Sequence, residues 1–250
     1  MKQPLFEFVL RLGDNALING QRLSEWCGHG PFLEEDIAMA NAALDLIGRA
    51  RLLLTYAGEI EGNGRSEDDL AYLRNERDWR NFLLLELPKG DFGFTMARQL
   101  LVDCYNYHLY RDLLDSADET LAGIAAKAVK ECEYHLRRSS DWVIRLGNGT
   151  AESNRRLQQG MDECRPYADE FFRLDEIDRE MQERGIAPGL DQIETAWRGR
   201  IDKTLRQAAI GEPQSDHSPD GGRRGLHTEY MGYLLAEMQS VPRAWPGLQW

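Results

Sequence analysis

Cys132 and His135 lie three residues apart in the run ETLAGIAAKAVKECEYHLRRSSDWVIRLG. In that run Leu121, Ile124, Ala128, Cys132, His135, Ser139, Trp142 and Leu146 recur at three- and four-residue spacing, which predicts one buried helical stripe with Cys132 and His135 facing inward together. A Glu at 132 would complete a Glu-x-x-His pair, in which a hard bridging oxygen and an imidazole meet one iron of a carboxylate-bridged pair. Cys132 offers a soft sulfur instead.

A working site of this kind takes one carboxylate from each of two helices and a Glu-x-x-His pair from each of two more, six donors in all. The second pair is best matched by Asp45-Leu46-Ile47-Gly48, with an acid at the first position and no side chain at the last. Counting back across the connecting turns puts Asn15 opposite Asp45, and Asp103 opposite Cys132. The degenerate positions are thus Asn15, Asp45, Gly48, Asp103, Cys132 and His135, of which only Asp45, Asp103 and His135 are sound donors. The reading assigns no catalytic, cofactor-binding or metal-binding residue to this chain. Without iron, His135 is expected to pair with Asp45 or Asp103, since an unpaired buried charge is costly. His29, His108, His217 and His227 have no ligand-spaced companion, and neither a Gly-x-Ser-x-Gly elbow nor a phosphate-cradling glycine loop is present.

Positioning these residues requires long helices. Residues 5–27 and 34–56 read as an antiparallel hairpin broken at Gly28-His29-Gly30-Pro31, with Glu34, Glu35 and Asp36 suiting the positive start of the second helix. Ser66 and Asp69 cap a charged helix expected to continue, bent, to 87. A helix over 92–114 carries apolar residues on most sides and leads into the central helix, which Ser116 and Glu119 cap and Gly147-Asn148-Gly149 ends with left-handed residues. That helix, about 28 residues, spans roughly 42 Å. Thr150 opens a helix that Pro166 kinks or ends. Further helices are expected to 208 and over 228–240, and 209–225 reads as a surface loop. The expectation is one all-α domain over 1–250: a ferritin-like four-helix bundle of hairpins 5–56 and 92–147 with one long crossover, followed by C-terminal helices over 150–208 and 228–240.

A chain of 250 residues buries about 70 to 75% of its extended surface without disulfides or structural metal. Cys27, Cys104, Cys132 and Cys164 include no Cys-x-x-Cys pair and read as reduced core thiols, which argues against zinc. The balance of 30 basic against 42 acidic residues gives a net charge of −12, which disfavours nucleic acid. Glu7 and Arg11 interrupt the first apolar run, and no uncharged run approaches membrane-spanning length, so the expected location is cytoplasmic.

The runs LGDNALINGQRLSEWCGHGP, EEDIAMANAALDLIGRARLLL, LAGIAAKAVKECEYHLRRSSDWVIRLGNGT and GGRRGLHTEYMGYLLAEMQ resemble the C subunits of bacterial ring-1,2-phenylacetyl-CoA epoxidases of phenylacetate degradation. The resemblance covers nearly the whole chain. It implies a non-catalytic structural subunit, paired with a related catalytic A subunit that holds the di-iron centre and the CoA thioester, together with a small bridging B subunit. Self-association of the isolated chain is left open. The other reading is an autonomous metal-dependent oxygenase or oxidase using Asp45, Asp103, Cys132, His135 and waters.

Overall fold

The computed structural model describes residues 2–213 and 217–247, and among these it contains helices and turns but no strand. The element order is that of an all-α, ferritin-like chain: two αα-hairpins separated by a crossover, with further helices after the second. The chain divides into two compact units, Met1–Pro88 with Asp220–Trp250, and Lys89–Pro219.

In the first unit α1 (Lys2–Ser24) and α2 (Leu33–Glu61) form the first hairpin. They approach closely because α1 lacks side chains where α2 passes: a Cβ on Gly20 would lie 3.1 Å from Ile47 and 3.3 Å from the Ala43 carbonyl. Leu23, Ala42, Ala43 and Leu46 pack beside that point. Asp36 holds the connecting turn by accepting from the Gly30 amide at 2.9 Å. The Gly30 and Gly28 amides together keep its carboxyl below the usual carboxylate range.

The crossover differs from the expected bent helix over 66–87. The Ser66–Asp69 capping box forms, but α3 (Glu67–Tyr72) is a short helix, followed by 3₁₀ turns at Glu76–Asp78 and Leu83–Glu86. Its polar groups are committed to α1 instead of to a continuing helix. Asp14, fully buried, accepts two hydrogen bonds from the Arg74 guanidinium and one from the Arg80 amide at 2.8 Å. Arg74 also lies 4.2 Å over the ring of the buried Trp79. Arg80 reaches Glu7 at 2.9 Å.

In the second unit α4 (Phe92–Asp112) is buried on most sides, as its all-round apolar pattern predicts, against α5 (Glu119–Gly147), α6 (Ala151–Cys164) and α8 (Leu190–Gln207). Trp197 of α8 donates its indole N–H to the Leu101 carbonyl at 2.8 Å. Its ring packs with Phe171 and Phe172, and both phenylalanines pack with Tyr105. Pro166 ends α6, giving a 3₁₀ stretch over Arg165–Phe172 before α7 (Glu176–Glu183).

The ends of α5 depart from expectation. Asp118, not Ser116, is the N-cap, accepting from the Leu121 amide at 2.9 Å, because the Ser116 hydroxyl donates to the Ile186 carbonyl at 2.8 Å. At the other end Asn148 stops the helix with φ −94°, not a left-handed residue, and its amide donates to the Ile144 and Gln207 carbonyls. Of the predicted stripe, Trp142 and Leu146 are half-buried and the rest buried. Trp142 lies edge-on to Phe92 at 5.1 Å, with the Arg145 guanidinium over its ring.

The chain then returns to the first unit, which closes with a 3₁₀ turn at Gly222–Arg224, α9 (Glu229–Met238) and α10 (Ser240–Ala244). The expected surface loop over 209–225 is only partly one: Gly221, Gly222 and Gly225 are buried, while 214–216 lie outside the described residues. A Cβ on Gly222 would sit 2.0 Å from the Asn81 carbonyl, and one on Gly225 2.3 Å from that of Arg77, so this turn presses backbone against backbone on the crossover. Gln239 then caps the end of α3, donating to the Ala71 and Arg74 carbonyls at 3.2 and 3.0 Å.

Candidate functional site

Asn15, Asp45 and Gly48 belong to the first unit, and Asp103, Cys132 and His135 to the second. The Asn15 side-chain oxygen already accepts from the Phe82 amide at 2.8 Å, fixing the crossover's second 3₁₀ turn against α1. Gly48 faces open space, with nothing within 4 Å of the Cβ it lacks. Asp45 is half-buried, while Asp103, Cys132 and His135 are buried. Among the described residues no group of three or more His, Cys, Asp or Glu side chains is placed to hold a metal ion.

The thiols follow burial. Cys104, Cys132 and Cys164 are core residues, and desolvation pushes the Cys164 thiol up to about 12. Cys27, expected in the core, is exposed because α1 ends at Ser24 and the thiol falls in the following turn.

A densely bonded polar site lies in the first unit, at Glu86 of the crossover. Its carboxylate is fully buried. One oxygen meets His227 Nδ1 at 2.6 Å and accepts from the Asn81 amide at 3.0 Å, and the other accepts from the Thr228 backbone amide and hydroxyl, both at 2.7 Å. His227 Nε2 lies 3.2 Å from the Trp79 carbonyl, so each ring nitrogen has an oxygen within hydrogen-bond reach. Arg22 of α1 donates its Nε–H to the Glu86 carbonyl at 3.1 Å. One acidic residue thus ties together α1, the crossover and the start of α9. The sequence carries no local signal for it, because Glu86 and His227 are 141 residues apart. Chemically the site is saturated: each carboxylate oxygen has two close partners, which suits a structural clasp better than acid–base work on a substrate.

A family model described as "Phenylacetic acid catabolic protein" matches residues 1–250. The chain belongs to that family. It is also 46% identical over 246 residues, 98% of this chain and 99% of the relative, to the C subunit of 1,2-phenylacetyl-CoA epoxidase from Escherichia coli (strain K12). The resemblance read from the four sequence runs therefore holds along the chain. Two of those runs form the α1–α2 hairpin and one forms α5. The fourth, GGRRGLHTEYMGYLLAEMQ, is the segment that supplies Gly222, Gly225, His227, Thr228 and Gln239 to the crossover. Backbone contact at the glycines and buried hydrogen bonds at the polar residues both restrict what can stand in that run.

Proposed function

We propose that this chain is the structural, non-catalytic member of a multicomponent di-iron monooxygenase that epoxidises the aromatic ring of phenylacetyl-CoA, and that it supports a related catalytic subunit in phenylacetate breakdown. The observation that carries this reading is 46% identity over 98% of the chain to a protein named as the C subunit of that epoxidase. The side chains support it. On this reading the six positions matching a di-iron donor set do not fit a pair of irons: Asn15 is neutral and already bonded to the crossover, Gly48 has no donor, and Cys132 offers sulfur where a bridging oxygen is needed. Asp45, Asp103 and His135 alone are too few. The iron and the thioester substrate belong to the catalytic partner, a small bridging protein completes the assembly, and the chain works in the cytoplasm.

Metal analysis tests the reading on this chain alone. Protein purified from iron-supplemented culture is expected to hold well under one iron per chain after dialysis. Two tightly bound irons per chain would promote the autonomous oxygenase in its place.

A further inference from the structure

α3 is six residues long and buries Leu70 and Ala71, and helices shorter than about 12 residues are marginal on their own in water. The Ser66–Asp69 capping box closes its start from within the same turn. Its end is closed from far away. The Arg74 side chain takes the Leu70 carbonyl, and the next four carbonyls accept from side chains 165 to 171 residues further on. Gln239 donates to Ala71 and Arg74, and Arg243 to Tyr72, Leu73 and again Arg74, at 3.2, 3.3 and 2.7 Å. The carbonyls that a helix end leaves without partners are thus satisfied here by the last segment of the first unit.

That segment, 221–244, has a second anchor at its other end. There a Cβ on Gly222 would meet the Asn81 carbonyl and one on Gly225 the Arg77 carbonyl, while His227 and Thr228 meet the Glu86 carboxylate. Between the two anchors α9 packs on the 3₁₀ turns of the crossover. Little apolar burial backs these bonds. Among the described residues of 221–244, only Met231, Leu234 and Leu235 are buried large apolar side chains, whereas Leu226, Tyr233 and Val241 are exposed. A hydrogen bond given up on opening is replaced by one to water, so a segment held chiefly by polar contacts opens more readily than helices buried along their length, as α4 and α5 are.

We infer that residues 221–244 are a strap that opens as one unit with α3 while α1, α2, α4 and α5 stay folded. The coupling follows from the caps. When the strap lifts, four carbonyls of α3 and its following turn lose their partners at once, and a helix of six residues does not persist without them. Opening also bares the Glu86 carboxylate, which is fully buried when the strap is closed. The strap is therefore the element through which the interior of the first unit reaches solvent.

Native-state hydrogen exchange of the full chain in low urea, read by mass spectrometry on peptides covering each element, tests this. In wild type the amides of α3 and α9 are expected to exchange through one shared opening, with the same dependence on urea, ahead of those of α1, α2, α4 and α5. Gly222→Ala separates coupling from contact, because the atoms nearest a Cβ there belong to Asn81 and Leu83, not to α3. It is expected to speed exchange in both α3 and α9 by at least about tenfold and to leave α4 and α5 as in wild type. Faster exchange in α9 alone, in every element alike or in neither α3 nor α9 would overturn the inference. So would wild-type α3 and α9 amides that open only together with α4 and α5, a result that needs no variant.

Discussion

α2 and α5 are each 29 residues long and each is the second helix of an αα-hairpin, yet their outward faces have opposite characters. α5 shows solvent Lys127, Lys130, Glu133, Arg137, Asp141 and Arg145, whereas α2 shows it Leu33, Ile37, Leu44 and Leu52. Both interiors hold buried charge. Around α4 and α5 an aromatic core built on Trp197, Phe171 and Tyr105 also encloses Arg98, Asp103 and Glu170. Beside α1 and α2 lie two buried carboxylates, Asp14 and Glu86, each held by several donors. The difference lies outside: α5 carries an ordinary solvated face, whereas the first hairpin, fastened by charge on the crossover side, leaves α2 with exposed leucines on its outer side.

If that contrast is sound, the largest single-site loss falls on the clasp. Glu86→Ala strips a partner from His227 and Thr228 in a dry site, and breaking such a buried pair costs about 3–5 kcal/mol. For a chain of this size that is a fall in Tm of about 10 °C, and a shift below about 2 °C would show that the clasp is not what fastens the first unit. In the second unit His135→Leu is expected to cost less, about 1–3 kcal/mol, the penalty for disrupting one buried polar group. It should change stability in chemical denaturation without changing the activity of the assembled complex. A loss of activity with no loss of stability would contradict the structural role given to His135.

Smaller still, and opposite in sign, is Asn19→Leu. Asn19 is 1% exposed on α1, and neither of its amide atoms has a hydrogen-bond partner among the described residues. Replacing an unsatisfied buried amide by an apolar group of similar shape should leave stability unchanged or raise it by up to about 1 kcal/mol. A clear loss in the urea midpoint would mean that an ordered water completes the site.

The smallest effect is on acid stability. Arg155 and then Arg156 hold Glu152 down at about 2, the backbone amides of Gly30 and Gly28 lower Asp36, Arg65 lowers Glu61, and Ser66 lowers Asp69. All four carboxyls sit below their ordinary values of 3.8 or 4.5, so their contribution is complete above those values and is lost as pH falls through them toward 2. The pairs are exposed or nearly so and each contributes little. Tm should decline on acidification below about 4.5, and a Tm that rises there would contradict the stabilising role of these ionised carboxylates.

Helix type and order were legible because long amphipathic runs are strong local signals: α1, α2, α4 and α5 lie close to where period and punctuation place them. What was not legible is what long-range contacts decide. Ser116 has capping-box spacing, but Ile186 claims its hydroxyl, so the cap passes to Asp118. The crossover has helical composition, but Asp14, 60 residues back from Arg74, draws its polar groups toward α1. In the sequence Gly48 is a missing ligand. Only the open space beside it makes it a surface notch.

The central claim, that this chain supports epoxidation without performing it, is tested most directly by assaying turnover of phenylacetyl-CoA with an electron donor by this chain alone, by the catalytic partner alone, and by the two co-expressed. The expected result is no turnover by this chain, little soluble or active catalytic partner without it, and full activity from the pair. Turnover by this chain alone, or a catalytic partner fully active without it, would contradict that claim.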